Sequence, residues 1–166
     1  MISSIAIKVF HKQSRLEVFR LVSSYDLSEH NLQWVNYYLG VEIIAESLQP
    51  CGIIMDLGIC KQELKRIISL LNKKLILSNQ DSQYIIEEGQ ETYKLIIKGD
   101  FFYEVPKNLC VMVDKKTAPI EDLSEFIGTF FVESLKLKSC IPSLLELRVF
   151  VSESRECSKP SYIVKF

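Results

Sequence analysis

The side chains able to do chemistry are few and scattered. The chain has two histidines, His11 and His30, and five cysteines at irregular spacing: Cys51, Cys60, Cys110, Cys140 and Cys157. No C-x-x-C pair occurs, so neither a disulfide framework nor a cysteine zinc site is expected, and the thiols are predicted to be reduced and buried. The segment SSYDLSEHN gathers Asp26, Glu29 and His30 in one polar stretch. A mixed metal site could be built from them, but a solvated loop is the expectation. Trp34, Tyr37 and Tyr38 form an aromatic cluster. Such a cluster either lines an apolar pocket or belongs to the core or an interface, and the second is expected. Lys73 and Lys74 put positive charge after a helical stretch, where solvent or a phosphorylated ligand could face them. Neither G-x-G-x-x-G nor G-x-x-x-x-G-K-S/T is present, so no nucleotide phosphate loop is expected.

Hydrophobic patterning supplies the elements that would position these groups. Ile5–Phe10 and Leu16–Ser23 read as strands, with a turn at Lys12–Ser14 and a loop over Ser24–Gln33. Val35–Leu48 is a long extended run, in which Gly40 suggests a bulge or a close backbone approach. Leu57–Leu71 has apolar residues at helical spacing and Asp56 as its cap. Strands are then predicted over Tyr84–Glu87, Thr92–Lys98, Phe101–Val105 and Leu109–Val113, with Gly99–Asp100 as a hairpin turn. A second helix spans Ile120–Lys136 behind Pro119, with Glu121 as an acidic first-turn residue. Leu144–Ser152 and Tyr162–Phe166 are extended. Strands with two helices on one side describe an α+β domain whose free edges invite oligomerisation.

The bulk properties agree. The 166 residues suit one domain, residues 1–166, and 48% hydrophobic against 25% charged is an ordinary globular balance. A net charge of -1 gives no basic excess for nucleic acid. No apolar run reaches the roughly 20 residues of a membrane span, and the N-terminus lacks signal-peptide features, so a cytoplasmic location is expected.

Three stretches together resemble the 6-pyruvoyltetrahydropterin and 6-carboxytetrahydropterin synthases. PCGIIMDLGICKQELKRIISLLNKKLILSN (Pro50–Asn79) is similar to the family's G-M-V/I-x-D-F/L strand end, helix and L-D-H-x-x-L-N. TAPIEDLSEFI (Thr117–Ile127) is similar to its T-T-A-E-N-L-A helix start, with Glu121 on the glutamate and Ala118 and Pro119 on the threonines. LRVFVSESRECSKPSY (Leu147–Tyr162) is similar to its V-x-V-x-E-T run ending in tyrosine. The resemblance implies the tunnelling fold (T-fold): a four-stranded antiparallel sheet backed by two helices, with a β-rich insertion over about 84–113. It also implies edge-to-edge assembly into trimers or hexamers, with a pterin bound between subunits.

It further implies an activity, the zinc-dependent elimination of triphosphate from dihydroneopterin triphosphate. Three histidines hold the zinc as a Lewis acid, and a cysteine with an Asp–His pair moves protons. A glutamate anchors the pterin by accepting charge-assisted hydrogen bonds. Carried onto this sequence, the metal positions hold Tyr25, Val35 and Tyr37, and the proton-transfer positions hold Asn31, Asn72 and Lys73. Two histidines cannot complete a three-histidine site within one subunit. Glu153 matches the pterin anchor, and Glu121 matches the helix-start glutamate, where an acidic first-turn residue is expected to act as a cap. The expectation is therefore a degenerate member without zinc that keeps at most pterin binding. The alternatives are a divergent pterin synthase using Tyr25, Tyr37 or Glu29 for acid–base work, and a non-catalytic scaffold subunit of a mixed oligomer.

Overall fold

The computed structural model describes residues 4–23, 30–97, 101–114, 120–137, 144–154 and 159–166. Within its strands and helices, the side chains of residues 10–14, 22, 23, 30, 31, 101, 102, 120, 121, 136 and 137 lie outside that description. The strands are β1 (Ile5–Ser23), β2 (His30–Ala45), β3 (Lys74–Ser78), β4 (Tyr84–Glu88), β5 (Thr92–Ile97), β6 (Phe101–Pro106), β7 (Cys110–Val113), β8 (Leu144–Ser152) and β9 (Tyr162–Lys165). The helices are α1 (Leu57–Leu71) and α2 (Ile120–Leu137).

The strands form a six-stranded sheet in the order β7-β3-β1-β2-β8-β9 and a three-stranded sheet in the order β4-β5-β6. This is the expected α+β architecture, with two differences. The main sheet is mixed rather than purely antiparallel, because β3 pairs in parallel with both β1 and β7. The β-rich segment is also shared: β4, β5 and β6 form their own sheet, whereas β7 returns to the edge of the main one.

β1 is one strand, not two joined by a turn at Lys12–Ser14. Its register with β2 shifts between Phe10, opposite Gly40, and Arg15, opposite Tyr38. β1 takes five steps there while β2 takes two, an odd excess of three. Side chains alternate faces along a strand, so an odd excess swaps which parity points inward. Val9 faces the core before the bulge and Leu16 and Val18 face it after, while β2 keeps Tyr37, Leu39, Val41, Ile43 and Ala45 inward throughout.

Those inward rows meet both helices in one core with Cys60, Leu64, Ile67 and Leu71 of α1 and Leu123, Ile127, Phe131 and Leu135 of α2. Asp56 caps α1 as expected, its Oδ1 accepting from the Gly58 N–H at 2.6 Å. A second cluster joins the opposite face of β3, through Leu75 and Leu77, to Tyr84, Leu95 and Ile97 of the small sheet. β3 is thus buried on both faces. Away from the small sheet, the second face of the main sheet carries a row of charges beside the buried Phe150 and Ile44. Lys8, Glu42 and Arg148 lie opposite one another across β1, β2 and β8, and Arg148 pairs with Glu146 at 2.6 Å and Glu42 at 3.0 Å. Both carboxylates, Glu146 more than Glu42, push the Arg148 pKa above its usual value.

Tyr84 ties the small sheet to β3. Its hydroxyl accepts from the Ser78 N–H at 2.8 Å. Burial pushes its pKa up to about 12, with Asp81 adding to the rise and the Ser78 hydrogen bond opposing it. A raised folded-state pKa contributes stability that is complete below the unfolded value near 10 and is lost as pH climbs toward 12. Discounted for solvent screening, the loss attributable to Tyr84 is about 1–2 kcal/mol. Tyr84→Phe should remove that alkaline slope in urea unfolding followed from pH 9 to 12. It should also cost about 1 kcal/mol or more at pH 7 by orphaning the Ser78 N–H. An unchanged slope would refute the assignment.

Candidate functional site

Of the positions singled out in the sequence, Asn72, Lys73 and Glu153 lie where the C-terminal ends of α1 and β8 approach the middle of β1 and β2. α1 ends at Asn72, whose side-chain Oδ1 accepts from the Glu17 N–H at 3.0 Å. The next residue, Lys73, donates its own N–H to the Glu17 carbonyl at 2.6 Å. Lys73 adopts a left-handed backbone (φ 59°), which reverses the chain from α1 into β3. Asn72 and Lys73 therefore form a joint between helix and sheet, with both contacts on one residue of β1.

The Lys73 side chain lines a cleft of 180 Å³ with Phe19, Leu32, Leu75, Val105 and Leu109, on the small-sheet face of the main sheet. Val35 and Tyr37 point the other way, into the helical core. The fold thus separates Lys73 from Tyr37 rather than bringing them together. The aromatic cluster also splits by strand alternation. Tyr37 is 1% exposed, whereas Trp34 is 43% exposed and packs edge-on against Phe19 at 4.3 Å.

Tyr37 has a neighbour that sequence reasoning missed. Arg20 of β1 donates from Nη1 to the Tyr37 hydroxyl at 3.2 Å. The signal was available: Leu16, Val18 and Arg20 share the inward face of LEVFRLVS, and a cation at an inward position is unusual.

Glu153 immediately follows β8 and is exposed. Ser152, the last residue of β8, pairs with Tyr38 of β2, so Glu153 lies one residue beyond the row that neighbours Tyr37. The strand end is well held. The Ser161 hydroxyl donates to the Val151 carbonyl at 2.8 Å and accepts from the Val151 N–H at 3.1 Å. The Ser152 hydroxyl accepts from the Ser154 N–H at 3.1 Å, turning the chain just after Glu153. The carboxylate is thus presented to solvent from a fixed backbone.

Tyr25, Asp26 and Glu29 lie outside the described residues, as do Ala118 and Pro119. Asn31 and His30 sit in β2 opposite Val22 and Ser23, and their side chains, like that of Glu121, are outside the description. Of the cysteines, Cys51, Cys60 and Cys110 are described as free thiols, but only Cys60 is buried. Burial pushes the Cys110 pKa up, and the charge of Lys74 opposes this. Among the described residues no helix is long and apolar enough to cross a membrane.

Of the residues that the resemblance assigns to the metal positions, the two that are described offer no imidazole to a zinc. Val35 has no donor atom, and Tyr37 presents its hydroxyl to a guanidinium. Among the described residues, no group of three histidines, cysteines, aspartates or glutamates could hold a metal ion.

The sequence matches no family model and no curated protein. Its shape has clear counterparts. The Plasmodium vivax 6-pyruvoyltetrahydropterin synthase superposes with TM-score 0.81 at 20% identity, over 98% of this chain and 97% of that one. The chain has the 6-pyruvoyltetrahydropterin synthase fold. The Plasmodium falciparum enzyme gives TM-score 0.80 at 20% identity over 98% and 97%, and the Caenorhabditis elegans enzyme 0.53 at 11% over 99% and 97%. The Plasmodium vivax enzyme also matches as two variants in which a catalytic glutamate is replaced by cysteine or alanine.

Proposed function

We propose that this chain is a 6-pyruvoyltetrahydropterin synthase-like protein that binds a pterin through Glu153 without zinc-dependent triphosphate elimination. One observation carries the reading. A chain with this fold keeps an exposed glutamate on a clamped β8 end, at the position that the family motif assigns to the pterin anchor. A carboxylate there can accept two hydrogen bonds from the amino and ring N–H groups of a pterin. The loss of zinc chemistry rests on Val35, on the Tyr37–Arg20 contact and on the count of two histidines.

Titration of pterin fluorescence tests this. The wild type should bind saturably, and Glu153→Ala should bind about tenfold more weakly or worse. Equal affinities would remove Glu153 from the role.

The second reading is a divergent active synthase. The Plasmodium vivax enzyme has a catalytic glutamate, and Glu29, which precedes His30 in sequence, is a glutamate this chain could use for acid–base work. Incubation with dihydroneopterin triphosphate would then show turnover that Glu29→Gln abolishes. In either case the edges of the main sheet at β7 and β9, unpaired among the described residues, suit the trimers or hexamers expected of the family. A non-catalytic subunit of a mixed oligomer would use the same edges. A cytoplasmic location belongs to the same reading.

A further inference from the structure

Arg20 sits in a row that the fold otherwise keeps apolar. Leu16 and Val18, the preceding inward residues of β1, are fully buried. The strand partner of Tyr37 is Leu16, and that of Val18 is Val35. Arg20 lies four residues beyond Leu16 on β1, so its contact with the Tyr37 hydroxyl spans the Val18–Val35 pair. The guanidinium therefore meets Tyr37, which the resemblance places, with Val35, at the metal positions.

Its hydrogen bonding is incomplete. Nη1 is used on Tyr37. Nε is buried and has no partner, and it is the one buried side-chain nitrogen or oxygen among the described residues of which that is true. No ion pair among the described residues includes Arg20. A buried donor on a cation without an acceptor is costly, and the cost is recovered when an acceptor arrives. Nε and Nη2 form the remaining edge of the guanidinium. That edge is a planar two-donor fork matched to two oxygens of a carboxylate or phosphate.

We propose that Arg20, oriented by Tyr37, is an oxyanion-binding residue that supplies fixed positive charge beside Tyr37. The ligand class is a small molecule bearing a phosphate or carboxylate group. The tyrosine engages Nη1 and leaves the buried Nε without an acceptor. This adds to the pterin reading without resting on it.

The probe is inorganic phosphate, with acetate as a parallel arm to separate phosphoryl from carboxylate recognition. Titration is followed at the Arg20 Nε–H resonance by NMR. Saturable movement of that resonance and slower exchange of its proton with water are expected. Arg20→Lys keeps the charge but loses the fork, so thermal stabilisation by the same anion should need about tenfold more of it. Arg20→Met should show no saturable stabilisation, and because Arg20→Lys keeps a cation there, a folding failure of the methionine variant leaves the test standing. An Nε–H resonance that ignores both anions, or wild type and Arg20→Lys stabilised equally, would overturn the proposal. Because neither arm contains a pterin ring, failure here is distinct from failure of the Glu153 assignment.

Discussion

Tyr37→Ala is expected to destabilise the fold by about 3–5 kcal/mol, the range for emptying a buried aromatic site. Tyr37 is among the largest fully buried side chains, set between β1, β8 and the helices. Truncation leaves a cavity under α1 and α2, and it also removes the acceptor from Arg20 Nη1. The two costs separate by chemistry. Tyr37→Phe keeps the ring and loses only the hydroxyl, so it should cost about 1–3 kcal/mol, as for a hydrogen bond to a charged group. Urea unfolding of the three proteins checks this. Equal losses in Ala and Phe would mean that the hydroxyl, not the packing, dominates.

Gly128→Ala should also destabilise, although alanine favours a helix by about 1 kcal/mol over glycine. Gly128 is buried where α2 crosses β8 and β9. A Cβ there would stand 2.7 Å from Tyr162 Cδ1, 3.0 Å from Tyr162 Cε1 and 3.1 Å from Val149 Cγ2. The ring atoms next to its stem cannot swing clear as a chain end could, so α2 or β9 must move. Overpacking of this kind costs about 1–3 kcal/mol, and the net should remain unfavourable. Tyr162→Ala opens the space, so the double variant should be more stable than the sum of the single changes predicts. Strict additivity would show that Gly128 does not set the approach of α2 to the sheet.

Both helices were legible because their apolar stripes recur at helical spacing and Asp56 marks the start of α1. β3 was not legible. In KLILS, Ile76 faces the helical core while Leu75 and Leu77 face the small sheet, so both sides are apolar and no alternation marks a strand. Its pairing is parallel and non-local, which no short-range pattern announces. β1 failed for the opposite reason. Polar residues around Lys12–Ser14 look like a turn, but pairing with β2 on either side carries the strand through a bulge.

The candidate site divides in the same way. The strand end before Glu153 was legible in the alternation of LLELRVFVS, and the proposed anchor role comes from the resemblance alone. The separation of Lys73 from Tyr37 was not, because it depends on which face each residue meets after the left-handed turn at Lys73. Arg20 showed only as a cation in an apolar row. The partner that gives it meaning lies on the neighbouring strand.

The proposed absence of a three-histidine zinc is tested most directly by metal content. Purified protein is saturated with zinc, dialysed, and its bound metal counted per chain by mass spectrometry. The geometry at Val35, Tyr37 and Arg20 predicts far less than one zinc per chain. One tightly retained zinc for every chain, lost on Tyr37→Phe, would contradict it.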